Sequence, residues 1–101
     1  MKRITKEMVR EGLRRGIIEV TDDAERYGCI GLACRIGDNA FYFAGEEGEL
    51  MSADEYVKRV PMEDIAEEIF LTLDGDGGIR TEFEEEYEYY RLFLDYSLKD
   101  Q

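Results

Sequence analysis

The side chains in this sequence that could do chemistry are carboxylates. Among 101 residues there are 25 Asp and Glu and no histidine. Without His, no Ser or Cys has the usual base beside it, so a nucleophile–base pair of the hydrolase kind is excluded. There is no Walker or dinucleotide glycine pattern. Acid–base work by paired carboxylates needs two that differ from the rest, and here they are numerous and exposed by pattern. The chain is therefore expected not to be an enzyme. Cys29 and Cys34 lie five apart on one predicted strand, an odd spacing that points them to opposite faces. Both are read as reduced, with Cys34 in the core. No His and no third Cys exist to complete a zinc site.

Two carboxylate groups merit separate treatment. The first lies in LDGDGGIRTEFEEE, from Leu73. Asp74, Asp76, Gly77 and Ile79 match positions three, five, six and eight of an EF-hand loop, but position one is then Thr72 and position twelve Phe83. Glu82 and Glu84 fall to either side of that last position. A frame starting at Asp74 puts Glu85 at position twelve and loses the glycine at six. Calcium wants six to eight oxygens, and neither frame supplies both end ligands. The segment reads as a glycine-rich connector, with a divalent-cation module using Asp74–Glu85 as the alternative. No cofactor is expected.

The second group is the run of five glutamates in residues 82–88. Over six helical steps it covers about 9 Å, one charge per roughly 1.8 Å. Duplex DNA presents one per about 1.7 Å. At 100° per residue Tyr89, Phe93 and Tyr96 fall off the apolar stripe and beside this charge. Glu82, Glu85, Glu86, Tyr89, Phe93 and Tyr96 are therefore expected to form a partner-binding surface, because aromatic anchors within a charged rim combine affinity with steering. The competing expectation is that the first helix covers these aromatics, with Lys6, Arg10 and Arg14 neutralising the glutamates.

Charge sets the class of partner. The net charge is −12 and its distribution is uneven. Residues 1–35 hold eight Lys/Arg against six Asp/Glu, a net of +2; residues 36–101 hold five against nineteen, a net of −14. Such a surface repels nucleic acid and anionic membranes and attracts basic proteins. No apolar run approaches the roughly 20 residues of a membrane span. The N-terminus, MKRITKEMVREGLRRG, has no apolar centre and is not a secretory signal, so a cytoplasmic location is the default. The length suits one domain, and at 44% hydrophobic the chain can build a core.

These residues must be positioned by elements legible in the pattern. Thr5 to Arg15 reads as a helix, with Thr5 as N-cap, Gly16 as stop and Met8, Val9, Gly12 and Leu13 on one face. Ile17 to Thr21 reads as a strand. Cys29 to Gly45 reads as a hairpin turning at Gly37–Asn39, with Leu32, Ile36, Phe41 and Phe43 buried. Its two apolar faces suggest the middle of a sheet. Ser52 with Glu55 forms a capping box for a short helix through Arg59. Pro61 suits the first position of a further helix, buried along Met62, Ile65, Ala66, Ile69, Phe70 and Leu73. Thr81 with Glu84 starts the last helix, whose core stripe is Phe83, Tyr87, Tyr90, Leu94 and Leu98. The fold class expected is α+β: a three-stranded antiparallel sheet with an N-terminal helix and C-terminal helices, in the order αβββααα.

The strings CRIGDNAFYFAG, SADEY, VPMEDIAEEI and EYEYYRLFL resemble small acidic proteins of conjugative and other mobile elements of gut Firmicutes, over about residues 5–97. No activity is assigned to that group, so the resemblance implies context and no mechanism. Element order and acidity are also similar to those of a type II-A anti-CRISPR protein that mimics DNA and blocks the PAM-reading groove of Cas9. The last helix is the nearest local likeness. The short helix at Ser52 and the connector at Asp74 depart from it, and no inhibitory residue carries over. Together these lines lead to an expected non-catalytic acidic interaction protein of mobile-element origin, with a DNA mimic as its sharper form. Its expected partner is a basic, nucleic-acid-binding protein, with no direct contact to nucleic acid or membrane. A homodimer is compatible with the same features.

Overall fold

Thr5 begins the first helix as its pattern requires. In a computed structural model describing residues 3–22, 31–43, 51–74 and 84–99, α1 spans Lys6–Arg14 and the Thr5 hydroxyl accepts the Met8 N–H at 3.1 Å. Its end is a Schellman motif. Gly16 takes φ +76°, its N–H reaches the Leu13 carbonyl at 3.2 Å, and the Ile17 N–H reaches that of Gly12 at 2.8 Å.

The chain then enters an antiparallel meander of β1 (Ile18–Thr21), β2 (Ala33–Ile36) and β3 (Asn39–Tyr42), in that spatial order. The register aligns Val20, Cys34 and Phe41 across the sheet, with Ile18 opposite Ile36. Alternation places these on one face, where Ile18, Cys34, Ile36 and Phe41 are buried, and Leu32 and Phe43 just outside the strands are buried too. On the other face Glu19 lies opposite Arg35, and the two pair at 2.6 Å.

Two details differ from expectation. Ile36 pairs with Asn39, so the turn is the two residues Gly37 and Asp38, with Asn39 already in β3. Gly37 alone has positive φ, +66°, the pattern of a type II′ hairpin. Among the described strands only β2 is central, and β3 lies at the edge. Residues 23–30 and 44–50, including Cys29, lie outside the described residues.

Among the described residues three helices follow: α2 (Ala53–Arg59), α3 (Met62–Asp74) and α4 (Glu84–Lys99). The Ser52 hydroxyl accepts the Glu55 N–H at 3.2 Å, but the Glu55 carboxylate pairs with Arg59 at 3.0 Å and does not close a capping box. Pro61 precedes α3 and does not open it; its carbonyl accepts from Asp64 and Ile65 at 2.9 and 3.1 Å. Met62, expected on the buried stripe, faces outward and is 44% exposed, while Ile65, Ala66, Ile69 and Leu73 are buried as the spacing requires. In α4 Tyr87, Tyr90 and Leu94 are fully buried and Leu98 packs against the same core. The Thr81 capping box and Phe83 lie outside the described residues.

The architecture is α+β in the order αβββααα, one face of the sheet contributing to a common core with the helices. Side-chain bonds tie distant segments to it. The Tyr87 hydroxyl accepts the buried Ile4 N–H at 2.7 Å. The Arg15 guanidinium donates to the Leu98 and Ser97 carbonyls at 3.1 and 3.4 Å, placing a cation at the negative end of α4. Ile36→Ala and Phe41→Ala are each expected to cost about 2–5 kcal/mol in denaturant unfolding, because neither site can collapse beneath the helices. A loss under about 0.5 kcal/mol at both would mean that the sheet faces are misassigned.

Candidate partner interface

The last helix carries more apolar surface than its core contact needs. Tyr87, Tyr90, Leu94 and Leu98 face inward. Tyr89, Leu92, Phe93 and Tyr96 recur at spacings of three and four on another side. The two stripes have different surroundings, which decide what the second can do.

Tyr89 is half-buried. Its hydroxyl accepts the backbone N–H of Asp38 at 3.0 Å, in the hairpin turn. The same hydroxyl occupies the space a side chain at position 37 would enter, and the Phe93 ring would lie 3.2 Å from such a Cβ. Gly37 thus serves both the positive φ of the turn and the close approach of α4. Phe93 is half-buried against the core, its ring centroid 6.1 Å from that of Tyr89. Leu92 and Tyr96 project outward, 52% and 79% exposed.

Of the glutamates expected here, Glu86 is exposed and accepts the Tyr90 O–H at 3.4 Å. Burial, with Glu86 nearby, pushes the Tyr90 phenol above its ordinary value, so it stays a neutral donor. Glu85 is placed within α4 by its backbone, and Glu82 lies outside the described residues. Four of the six residues expected at the interface therefore have described side chains: Glu86 and Tyr96 are exposed, and Tyr89 and Phe93 are half-buried beside the hairpin turn. Leu92 was not singled out by the sequence reading. Its signal was present: it lies three residues after Tyr89 and four before Tyr96.

The first helix does not neutralise the described glutamates of α4. Lys6 pairs with Glu67 of α3 at 3.2 Å, and Arg10 reaches Glu7 at 3.3 Å and Glu63 of α3. Arg14 pairs with Glu11 in its own helix at 2.6 Å, a bond that holds the Glu11 carboxyl below its ordinary range. Within α4 Arg91, its side chain only 12% exposed, pairs with Glu88 and stands 3.7 Å from Asp95. No cation pairs with Glu86 among the described residues.

Other chemistry finds little support in the geometry. Cys34 is fully buried, and desolvation pushes its thiol well above the ordinary range, away from the nucleophilic thiolate. Asp74 is the one described carboxylate of the cation-loop reading. It is 8% exposed and ion-paired with Arg3. No group of three or more metal-ligating side chains occurs among the described residues. A cleft of about 360 Å³ opens between α2 and α3, lined by Tyr56, Arg59, Pro61, Asp64, Glu67 and Glu68. No helix of the described residues is long and apolar enough to cross a membrane. Comparison with protein families, curated proteins and solved structures finds no match for this chain.

The contact between Tyr89 and the turn is testable by a double-mutant cycle. Tyr89→Phe is expected to cost about 0.5–1.5 kcal/mol by leaving the Asp38 N–H without its acceptor. Gly37→Ala is expected to cost more than about 1 kcal/mol, from the positive φ and the collision. Removing the hydroxyl relieves that collision, so the double variant should lose less than the sum of the two. Additivity within about 0.3 kcal/mol would show that the two sites are not in contact.

Proposed function

We propose that this chain is a non-catalytic acidic interaction protein that binds a basic protein. In its sharper form it occupies the duplex-DNA site of a nucleic-acid-binding protein. One observation carries the reading: among the described residues the cations of α1 are engaged with α3 and with α1 itself, and none of them pairs with Glu86 at the start of α4. Residues 84–90 contain four glutamates and no Lys or Arg, and Glu86 among them is exposed and unpaired with any described cation. Such a concentration of like charge raises association rates with a basic groove and repels nucleic acid. The cation-loop alternative is weaker, because its one described ligand, Asp74, already holds Arg3.

The test is competition between this protein and a fluorescent duplex for a basic DNA-binding protein, followed by anisotropy. The wild-type protein should displace the duplex, less effectively as salt rises. Glu85→Lys combined with Glu86→Lys should reduce displacement at least about tenfold while leaving thermal unfolding in place, a change of about 1.4 kcal/mol in binding. Unchanged competition by the folded double variant would reject the role of these residues.

A further inference from the structure

Among the described strands β1 has a neighbour on one side only, β2. The two-residue turn makes Ile36 and Asn39 a hydrogen-bonded pair, and such pairs alternate along an antiparallel ladder. Ile36 therefore directs its N–H and C=O to β3, while Arg35 directs its own to Glu19. It follows that the N–H and C=O groups of Ile18 and Val20 point away from the sheet. Neither residue's backbone has a hydrogen-bond partner on that side among the described residues.

These groups border a cavity of about 210 Å³, lined by Ile18, Glu19 and Val20 of β1 and by Leu13, Val57 and Met62 from three helices. Successive strand residues point to opposite faces, so a cavity that touches three in a row lies along the strand's edge. With β2 on the inner edge, that is the outer one. Val57 and Met62 are 50% and 44% exposed at its mouth, and Ile18 is buried at its floor. An apolar slot beside unpaired backbone donors and acceptors fits an extended peptide that adds a strand to the sheet.

Charge selects the peptide. Glu19 stands on the face of the sheet away from the core, its side chain 51% exposed. A second copy adding its own β1 antiparallel, Ile18 against Val20, would set Glu19 opposite Glu19, a repulsive pair. A strand with Lys or Arg at that position meets an opposite charge instead. Its residues on either side then face the slot and must be apolar.

We infer that the outer edge of β1 binds an extended peptide segment of apolar, basic, apolar order, its basic residue opposite Glu19. The inference does not depend on the surface proposed for α4. The probe is a short end-blocked peptide alternating valine and lysine, titrated into the isotopically labelled protein and followed by backbone amide shifts. The largest changes are expected at Ile18 and Val20. Methylating the valine backbone nitrogens keeps the charge but removes the donors, and should weaken binding at least about tenfold. A peptide with glutamate in place of lysine should bind poorly to the wild-type protein and better to Glu19→Lys. Val57→Asp, at an exposed position, should weaken binding of the valine–lysine peptide with thermal unfolding unchanged. Amide changes confined to α4, equal binding of the methylated peptide, or full binding by folded Val57→Asp would each overturn the inference. So would a Glu19→Lys protein, folded as wild type, that still prefers lysine to glutamate.

Discussion

One contact ties the sheet to the last helix, that between the Tyr89 hydroxyl and the backbone of a two-residue turn. The turn needs a positive φ at Gly37, and the absence of a side chain there lets the phenol come close enough to accept the Asp38 N–H. The bond joins the far end of the sheet to the middle of α4. It agrees with the rotation that the buried Tyr87, Tyr90 and Leu94 give the helix. With Tyr89 on the turn and Tyr87, Tyr90 and Leu94 in the core, Leu92 and Tyr96 can only face outward.

A second constraint is electrostatic. The chain is basic at its start and acidic afterwards, and the simplest folded arrangement would neutralise one end with the other. It does so only in part. The cations of α1 engage Glu63 and Glu67 of α3, and Arg15 holds the carboxyl end of α4 through its last carbonyls. The amino end of α4 receives none of the α1 cations among the described pairs. Exposed ion pairs of this kind contribute little to stability, about 0–1 kcal/mol each. Their larger effect is on where the uncompensated negative charge remains.

The fold was legible because its signals were local and periodic. Thr5, Gly16 and Ser52 announce helix ends through bonds to neighbouring backbone. Ile36 and Phe41 announce the buried face through alternation. Pro61 stands one residue before the helix because its fixed φ suits the N-cap as well as the first turn. The α4 surface was less legible. The helical wheel separated Tyr89, Phe93 and Tyr96 from the core stripe, but it could not say that a hairpin turn about fifty residues earlier in the chain would cover two of them. Nor could it say that Lys6 and Arg10 would turn to α3, since both helices offer glutamates and only tertiary packing chooses. Leu92 was overlooked because a single leucine between charged and aromatic neighbours has meaning only once the helix's rotation is known.

The proposed role of α4 is to offer Glu86 and its neighbours in the first turns to a basic partner. Titrating the isotopically labelled protein with an oligoarginine peptide, and following backbone amide shifts, tests this most directly. The largest changes are expected at Glu86 and its neighbours in the first turns of α4, diminishing with added salt, while the amides of β2 stay still. Changes centred on Asp64 and Glu68 in the cleft between α2 and α3, with α4 unmoved, would contradict it.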